Sequence, residues 1–304
     1  MFALRQTLRQ AQDEDFRDDG VVTEGRWQDC GDRKKRIAMD LKLDGKRALV
    51  TGGSRGIGKA IARALASEGV SVVISARGKD ALDITAAELS AETGSKVVGV
   101  VVDTGSDDSV RNVVAEAKSL LGSIDILVNC AARPGGQGAV PTLAEITEEE
   151  FNDHMNVKVM GYLRCAREVA PLMIEEGWGR IINLSGMAAS QAGYAIGSMR
   201  NVSVSALTKN LADELGPLGI NVTVVHPGLT RTERTAGMVA EAARQQGITE
   251  AEAEERMAQG VSVRRIIDAR EIAHVVAFLA SPKSIAINGD AIAVAGGSGR
   301  AIHY

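Results

Sequence analysis

From residue 45 onward the chain alternates short runs that are apolar throughout with longer stretches whose apolar positions recur three and four residues apart. The short runs are Arg47–Val50, Ser71–Ser75, Lys96–Val102, Ile124–Asn129, Arg180–Leu184, Asn221–His226 and Asp290–Val294. They lack polar alternation, which predicts strands buried on both faces. Between them, Gly58–Glu68, Asp80–Glu92, Asp107–Leu121, Glu148–Glu175, Val202–Leu215 and Ala269–Ala280 read as amphipathic helices. Strands that alternate with helices demand right-handed crossovers between parallel neighbours. The expectation is an α/β fold with one doubly wound parallel sheet of seven strands and helices on both faces. Ligand chemistry should then gather at the carboxyl ends of the strands.

The first forty residues break this pattern. They are dense in Asp, Arg and Gln, show no sustained period, and carry Asp13, Glu14, Asp15, Asp18 and Asp19, which argues against a transit peptide. Residues 1–40 are therefore expected to be a poorly ordered extension, with a nucleotide-binding domain at 41–304 and Met39 as a candidate start. A net charge of −4 with interspersed signs gives no reason to expect nucleic acid or a membrane as partner. Cys30, Cys130 and Cys165 are far apart and without metal-ligand spacing. A cytoplasmic protein with no metal site is expected.

The run Thr51-Gly52-Gly53-Ser54-Arg55-Gly56-Ile57-Gly58 joins the first strand to the first helix. Glycines let this turn bend tightly and let backbone N–H groups approach a pyrophosphate at the positive end of the helix dipole. The turn predicts dinucleotide contacts from Gly52, Ser54, Arg55, Gly56, Ile57 and Gly58. Sites that prefer NAD place a carboxylate at the end of the second strand to bind the ribose 2′-hydroxyl. Here that strand ends Ser75-Ala76-Arg77 without an acid. Arg55 and Arg77 could pair a 2′-phosphate through the planar guanidinium fork, or each could be a solvated surface charge. On the first reading NADP(H) is favoured over NAD(H).

Several ordered motifs resemble the short-chain dehydrogenase/reductase family from about Leu43 to the C-terminus. Thr51–Gly58 looks like its TGxxxGxG turn, and Asp103 matches the Asp that contacts adenine. Asn129-Cys130-Ala131-Ala132 stands where the family has NNAG. Asn156 and Ser185 match the catalytic Asn and Ser. Pro227-Gly228-Leu229-Thr230-Arg231-Thr232 resembles the PG loop, whose Thr contacts the nicotinamide end. The resemblance implies a Rossmann-like sheet, a nicotinamide cofactor held also by Asn129, Pro227, Gly228, Thr230 and Thr232, and a small-molecule substrate. It also implies a homodimer or homotetramer built on the two long helices.

One family feature is displaced. A Tyr and a Lys four residues apart normally follow the Ser on one helix face; alignment on Ala206–Gly216 puts Gly197 and Asn201 there. Tyr194 to Asn201 instead has the Y-x6-K spacing of the enoyl-thioester reductases, though Ser185 to Tyr194 is shorter than usual. Tyr194 is thus a candidate proton donor with Asn201 holding the ribose, or else it only packs over the site. Without a neighbouring ammonium Tyr194 should stay protonated, since a free phenol has a pKa near ~10. Arg200, roughly 100° round the helix from Asn201, is expected to face a neighbouring subunit or an acidic substrate.

A substrate lid is expected over residues 231–265, helical at Ala240–Arg244 and Glu250–Met257 and bordered by Arg231, Arg234, Arg264 and Arg265. The loop Arg133–Gly138 should face substrate. Two functions fit these features. One is an NADP(H)-dependent reductase of a carbonyl or activated double bond; the other is a catalytically silent nucleotide-binding protein.

Overall fold

The computed structural model describes residues 39–133 and 141–299. The expectations for residues 1–38, for most of the Arg133–Gly138 loop and for the last five residues fall outside them. Among the described residues, no helix is long and apolar enough to cross a membrane.

Seven parallel strands form one sheet: β1 (Arg47–Thr51), β2 (Ser71–Ala76), β3 (Val97–Val101), β4 (Ile126–Asn129), β5 (Gly179–Leu184), β6 (Ile220–Pro227) and β9 (Ala291–Val294). Their order is β3-β2-β1-β4-β5-β6-β9. The chain winds outward one way from β1 to β3, then returns to start β4 on the other side of β1. That reversal opens a crevice above β1 and β4, where doubly wound folds bind ligands.

Alternate residues of each strand feed two cores. Ala48, Val50, Val72, Ile74, Ile126, Val128 and Ile182 pack on one side with α1 (Gly56–Ser67), α2 (Lys79–Thr93) and α9 (Ala269–Ala280). Leu49, Val73, Leu127 and Ile181 pack on the other with α3 (Asp107–Leu121) and α5 (Gly161–Glu176). Two-sided burial is what strands without polar alternation require. All seven predicted strands are present with their ends within two residues, and Asp107–Leu121 and Ala269–Ala280 match their helices end to end.

The long helix expected over Glu148–Glu175 is not continuous. It runs as α4 (Glu148–His154), widens into a π-helical turn over Met155–Met160, and resumes as α5. The helix expected from Val202 starts seven residues earlier, as α6 (Ala195–Leu215). The region 231–265 carries α7 (Thr235–Gln246) and α8 (Glu250–Ala258), separated by Gly247 in the left-handed region at φ 63°. A short parallel pair, β7 (Thr230–Arg231) with β8 (Ile267–Asp268), ties the ends of this segment together.

Candidate functional site

Thr51 organises the crevice. Its fully buried hydroxyl accepts the N–H groups of Cys130 (3.1 Å) and Ala131 (3.2 Å) and lies 3.4 Å from the Val128 carbonyl. This fastens the segment leaving β4 against the glycine turn leaving β1. Contact is close enough that a Cβ on Gly52, which has φ +70°, would stand 2.9 Å from the Ala131 nitrogen. A Cβ on Gly58 would strike the Gly52 carbonyl, so α1 can begin this near the strand only with glycine there.

A cavity of about 550 Å³ lies over the turn. Gly52, Ser54, Arg55, Gly56, Ile57 and Gly58 line it, with Arg77 and Asp103 on the β2 and β3 side and Cys130 to Arg133 on the β4 side. Arg55 and Arg77 are both exposed at its border. Asp103 uses one carboxylate oxygen on the Gly105 N–H, at 2.9 Å. Thr232, Glu233 and Arg234 of the lid segment close another side. Glu233 places a carboxylate oxygen 3.0 Å from the Gly56 N–H, so the first amide of α1 already holds an anion. A carboxylate on that amide, beside Gly52 and Gly58 where a Cβ would collide with backbone, fits a bound pyrophosphate.

Four predicted cofactor residues do not border this cavity. Asn129 is fully buried and gives its amide to the Asn183 side-chain oxygen at 2.9 Å, leaving its own Oδ1 without a partner. Asn183 continues to Thr208 at 3.0 Å, so Asn129 ties β4 to β5 and α6. Pro227 ends β6, the Gly228 N–H meets the Val294 carbonyl at 3.4 Å, and the Thr230 hydroxyl donates to the Gly228 carbonyl at 2.9 Å. Those three brace the loop, and only Thr232 of the group reaches the cavity wall.

Beyond β4 a second cluster surrounds Ser185, which follows β5. The Ser185 hydroxyl donates to the Asn201 backbone carbonyl at 3.1 Å. The Ser185 carbonyl accepts the Lys158 ammonium at 3.0 Å, and the same Nζ reaches Asn201 Oδ1 at 3.2 Å. Arg200 Nε lies 3.3 Å from that oxygen, and its Nη1 lies 2.8 Å from His154 Nδ1. Arg200 is buried, which leaves the neighbouring-subunit arm of its expectation without support and the acidic-substrate arm open. Burial, then the Arg200 charge, push Lys158 down to about 7. Burial first and Arg200 second also lower His154, so its Nδ1 accepts from the guanidinium.

Tyr194 stands at the start of α6 and donates its phenol to Glu150 of α4 at 2.8 Å. Burial and then the Glu150 contact raise its pKa, so the phenol is protonated at neutral pH. Its ring covers Gly197: a Cβ there would lie 2.6 Å from Tyr194 Cδ1. Asn156, in the π-helical turn, points its amide to the Gly105 carbonyl at 3.2 Å, and its backbone carbonyl receives Arg164 at 3.1 Å. Asn156 thus supports the Asp103 loop, while Lys158, two positions on, faces Ser185.

The family model described as enoyl-(acyl carrier protein) reductase matches residues 52–298. A putative ketoacyl reductase of Streptomyces coelicolor is 35% identical over 260 residues, covering 84% of this chain and 98% of its own length. Dehydrogenase/reductase SDR family member 4 of Bos taurus is 36% identical over 265 residues, covering 86% and 90%. The chain belongs to the short-chain dehydrogenase/reductase family. L-Sorbose reductase from Gluconobacter frateurii, solved with NADPH and L-sorbose, superposes with a TM-score of 0.80 at 31% identity, covering 86% of this chain and 98% of that one.

Within this family's fold, the glycine turn, Asp103 and the two arginines line one cavity. Ser185 and Asn201 meet, while Tyr194 is engaged with Glu150 instead. Sequence reasoning passed over Lys158, the fastening role of Thr51, and Glu233. Lys158 had one visible signal: a lone lysine between Val157 and Val159 in a helix otherwise apolar on that side.

Proposed function

We propose that this protein is an NADP(H)-dependent reductase acting on a carbonyl or activated double bond of a small molecule. The observation that carries the cofactor preference is the pair Arg55 and Arg77 at the cavity border, with no carboxylate ending β2. A guanidinium fork matches a 2′-phosphate, whereas a 2′-hydroxyl calls for an acceptor. When bound, the reduced dinucleotide supplies hydride. The Gly56 amide holds its pyrophosphate in place of Glu233, and Asp103 meets the adenine. L-Sorbose reductase, the structural relative crystallised with NADPH, supports the same choice.

On this reading Ser185 turns its hydroxyl from the Asn201 carbonyl to the substrate oxygen, and Tyr194 donates the proton. None of the three tyrosines is followed four places later by a lysine; Ala166 and Ser198 stand there after Tyr162 and Tyr194, and Tyr304 ends the chain. The usual dyad is therefore absent. The Tyr194 ring covers the face from which a side chain at 197 would emerge, which supports it as the replacement donor. A phenol that stays protonated keeps its proton available during reduction and is a poor base for alcohol oxidation. The silent alternative gains no support from relatives named as reductases. Association through α5 and α6 belongs to the same reading.

Calorimetry with NADPH and NADH tests it first. NADPH should bind at least about tenfold more tightly, the order of one charge-assisted contact. Consumption of NADPH against ketones, quinones and enoyl thioesters follows. No affinity for either coenzyme would overturn the assignment, and binding without turnover across the panel would overturn the reductase step.

A further inference from the structure

Lys158 and Arg200 enclose Asn201 beside Ser185, and neither has a carboxylate partner among the described residues. Lys158 is 3% exposed and Arg200 8%. Lys158 places its ammonium against two neutral oxygens. Arg200 uses Nε on Asn201 Oδ1, and Nη1 on His154 and on the Arg133 carbonyl at 3.4 Å; its Nη2 has no partner among the described residues. Two buried cationic groups thus converge on one amide oxygen, and the Arg200 charge adds to burial in disfavouring the charged form of Lys158. Burying an ion without a counter-ion is costly, and a cationic pair without one is balanced when an anion arrives.

Other buried or lid cations are settled differently. Arg231 pairs with Glu254 and Arg265 with Glu271, so two of the lid arginines expected to attract an anion are already neutralised. Arg264 donates to the Gln259 carbonyl at 2.6 Å. Arg180, also without a carboxylate, lies at the opposite end of β5, stacked over Trp178 at 4.6 Å and capping the carbonyls of Gly179 and Ser281. Among the described residues, only the pair at Asn201 stands beside the serine and shares a wall with the dinucleotide cavity, through Arg133 and Cys130.

We propose that the substrate is an oxo acid, a carbonyl compound bearing a carboxylate, and that Arg200 and Lys158 receive that carboxylate beside Ser185. This rests on the reductase reading and narrows its substrate. The carboxylate takes the free Nη2 of Arg200 and the remaining Lys158 N–H. Binding it orients the neighbouring carbonyl toward the Ser185 hydroxyl.

The test is calorimetric titration of NADPH-saturated protein with pyruvate, acetoacetate and 2-oxoglutarate, each compared with its methyl ester. At least one acid should bind at least about tenfold more tightly than its ester, the order expected when a charge-assisted pair is lost. Arg200→Met and Lys158→Met should each reduce that preference at least about tenfold, while Arg200→Lys retains part of it and NADPH affinity stays within about threefold. Esters binding as well as every acid, or a preference that survives both substitutions, would overturn the proposal. So would acids that bind only when NADPH is absent, since a dinucleotide phosphate would then be the anion. Should the variants fail to fold, the wild-type comparison of acid with ester decides alone. Loss of NADPH binding itself would instead strike the cofactor assignment.

Discussion

Glu233 holds the Gly56 N–H at 3.0 Å, the amide that a pyrophosphate would take. An anion at a helix N-terminus is favourable, so this carboxylate competes with phosphate for one donor. Glu233→Gln keeps the size and removes the charge. NADPH should then bind about threefold or more tightly, on the scale of one helix-terminus charge; an unchanged or weaker affinity in fluorescence titration would show that Glu233 does not compete. Tyr194 and Gly197 make a second residue-scale pair. Only a residue without a Cβ leaves room for the Tyr194 ring, so the tyrosine and the glycine are one device.

At the scale of elements, the π-helical turn over Met155–Met160 divides what one helix would have done. It directs Asn156 to Gly105 below the nucleotide cavity and Lys158 to Ser185. The groups facing Lys158 are Arg200, Cys130, the Asn201 amide, the Ser185 carbonyl and the Tyr162 ring, whose centroid is 6.0 Å away. No acid offsets the burial, and the pKa falls from 10.5 to about 7. Between those values the unfolded chain binds the proton and the folded one does not, so this group makes stability rise with pH across that window. Lys158→Met removes the dependence. The melting temperature of the variant relative to wild type should be highest at or below pH ~7 and decline toward pH ~10. A difference that is flat with pH would mean that Lys158 is not buried as an ammonium.

At the scale of the molecule, α5 and α6 carry large apolar side chains into solvent: Met160, just before α5, is 40% exposed, Ile174 42%, Met199 47% and Val202 50%. Met199 and Val202 are three apart and share one helix face. This is the surface proposed to join copies into a dimer or tetramer. Val202→Glu should lower the mass in light scattering toward the monomer, with NADPH affinity retained; an unchanged oligomer would place the interface elsewhere. The sheet order belongs to this scale too. Fixing β1 beside β4 makes the crevice, and Thr51 fastens its two walls.

Strand positions, most helices and the tight glycine turn after β1 were legible in the sequence because they follow from local rules. Uninterrupted apolar runs must be buried on both faces, and Gly52 and Gly58 admit close backbone contact that no other residue allows. Local rules failed where a side chain's partner lies far along the chain. The resemblance offered Asn129 as a cofactor ligand, and nothing local showed that its amide meets Asn183, fifty-four residues on. Arg200 was open between a neighbouring subunit and an acidic substrate, because a helical wheel has no knowledge of His154, which holds it inside. The sequence by itself determined the alternation of elements and the place of the glycine turn. Only the tertiary structure decided that Lys158 and Arg200 meet at Asn201 without an acid, because that charge imbalance arises from packing α4, α5, β5 and α6 together and has no periodicity to betray it.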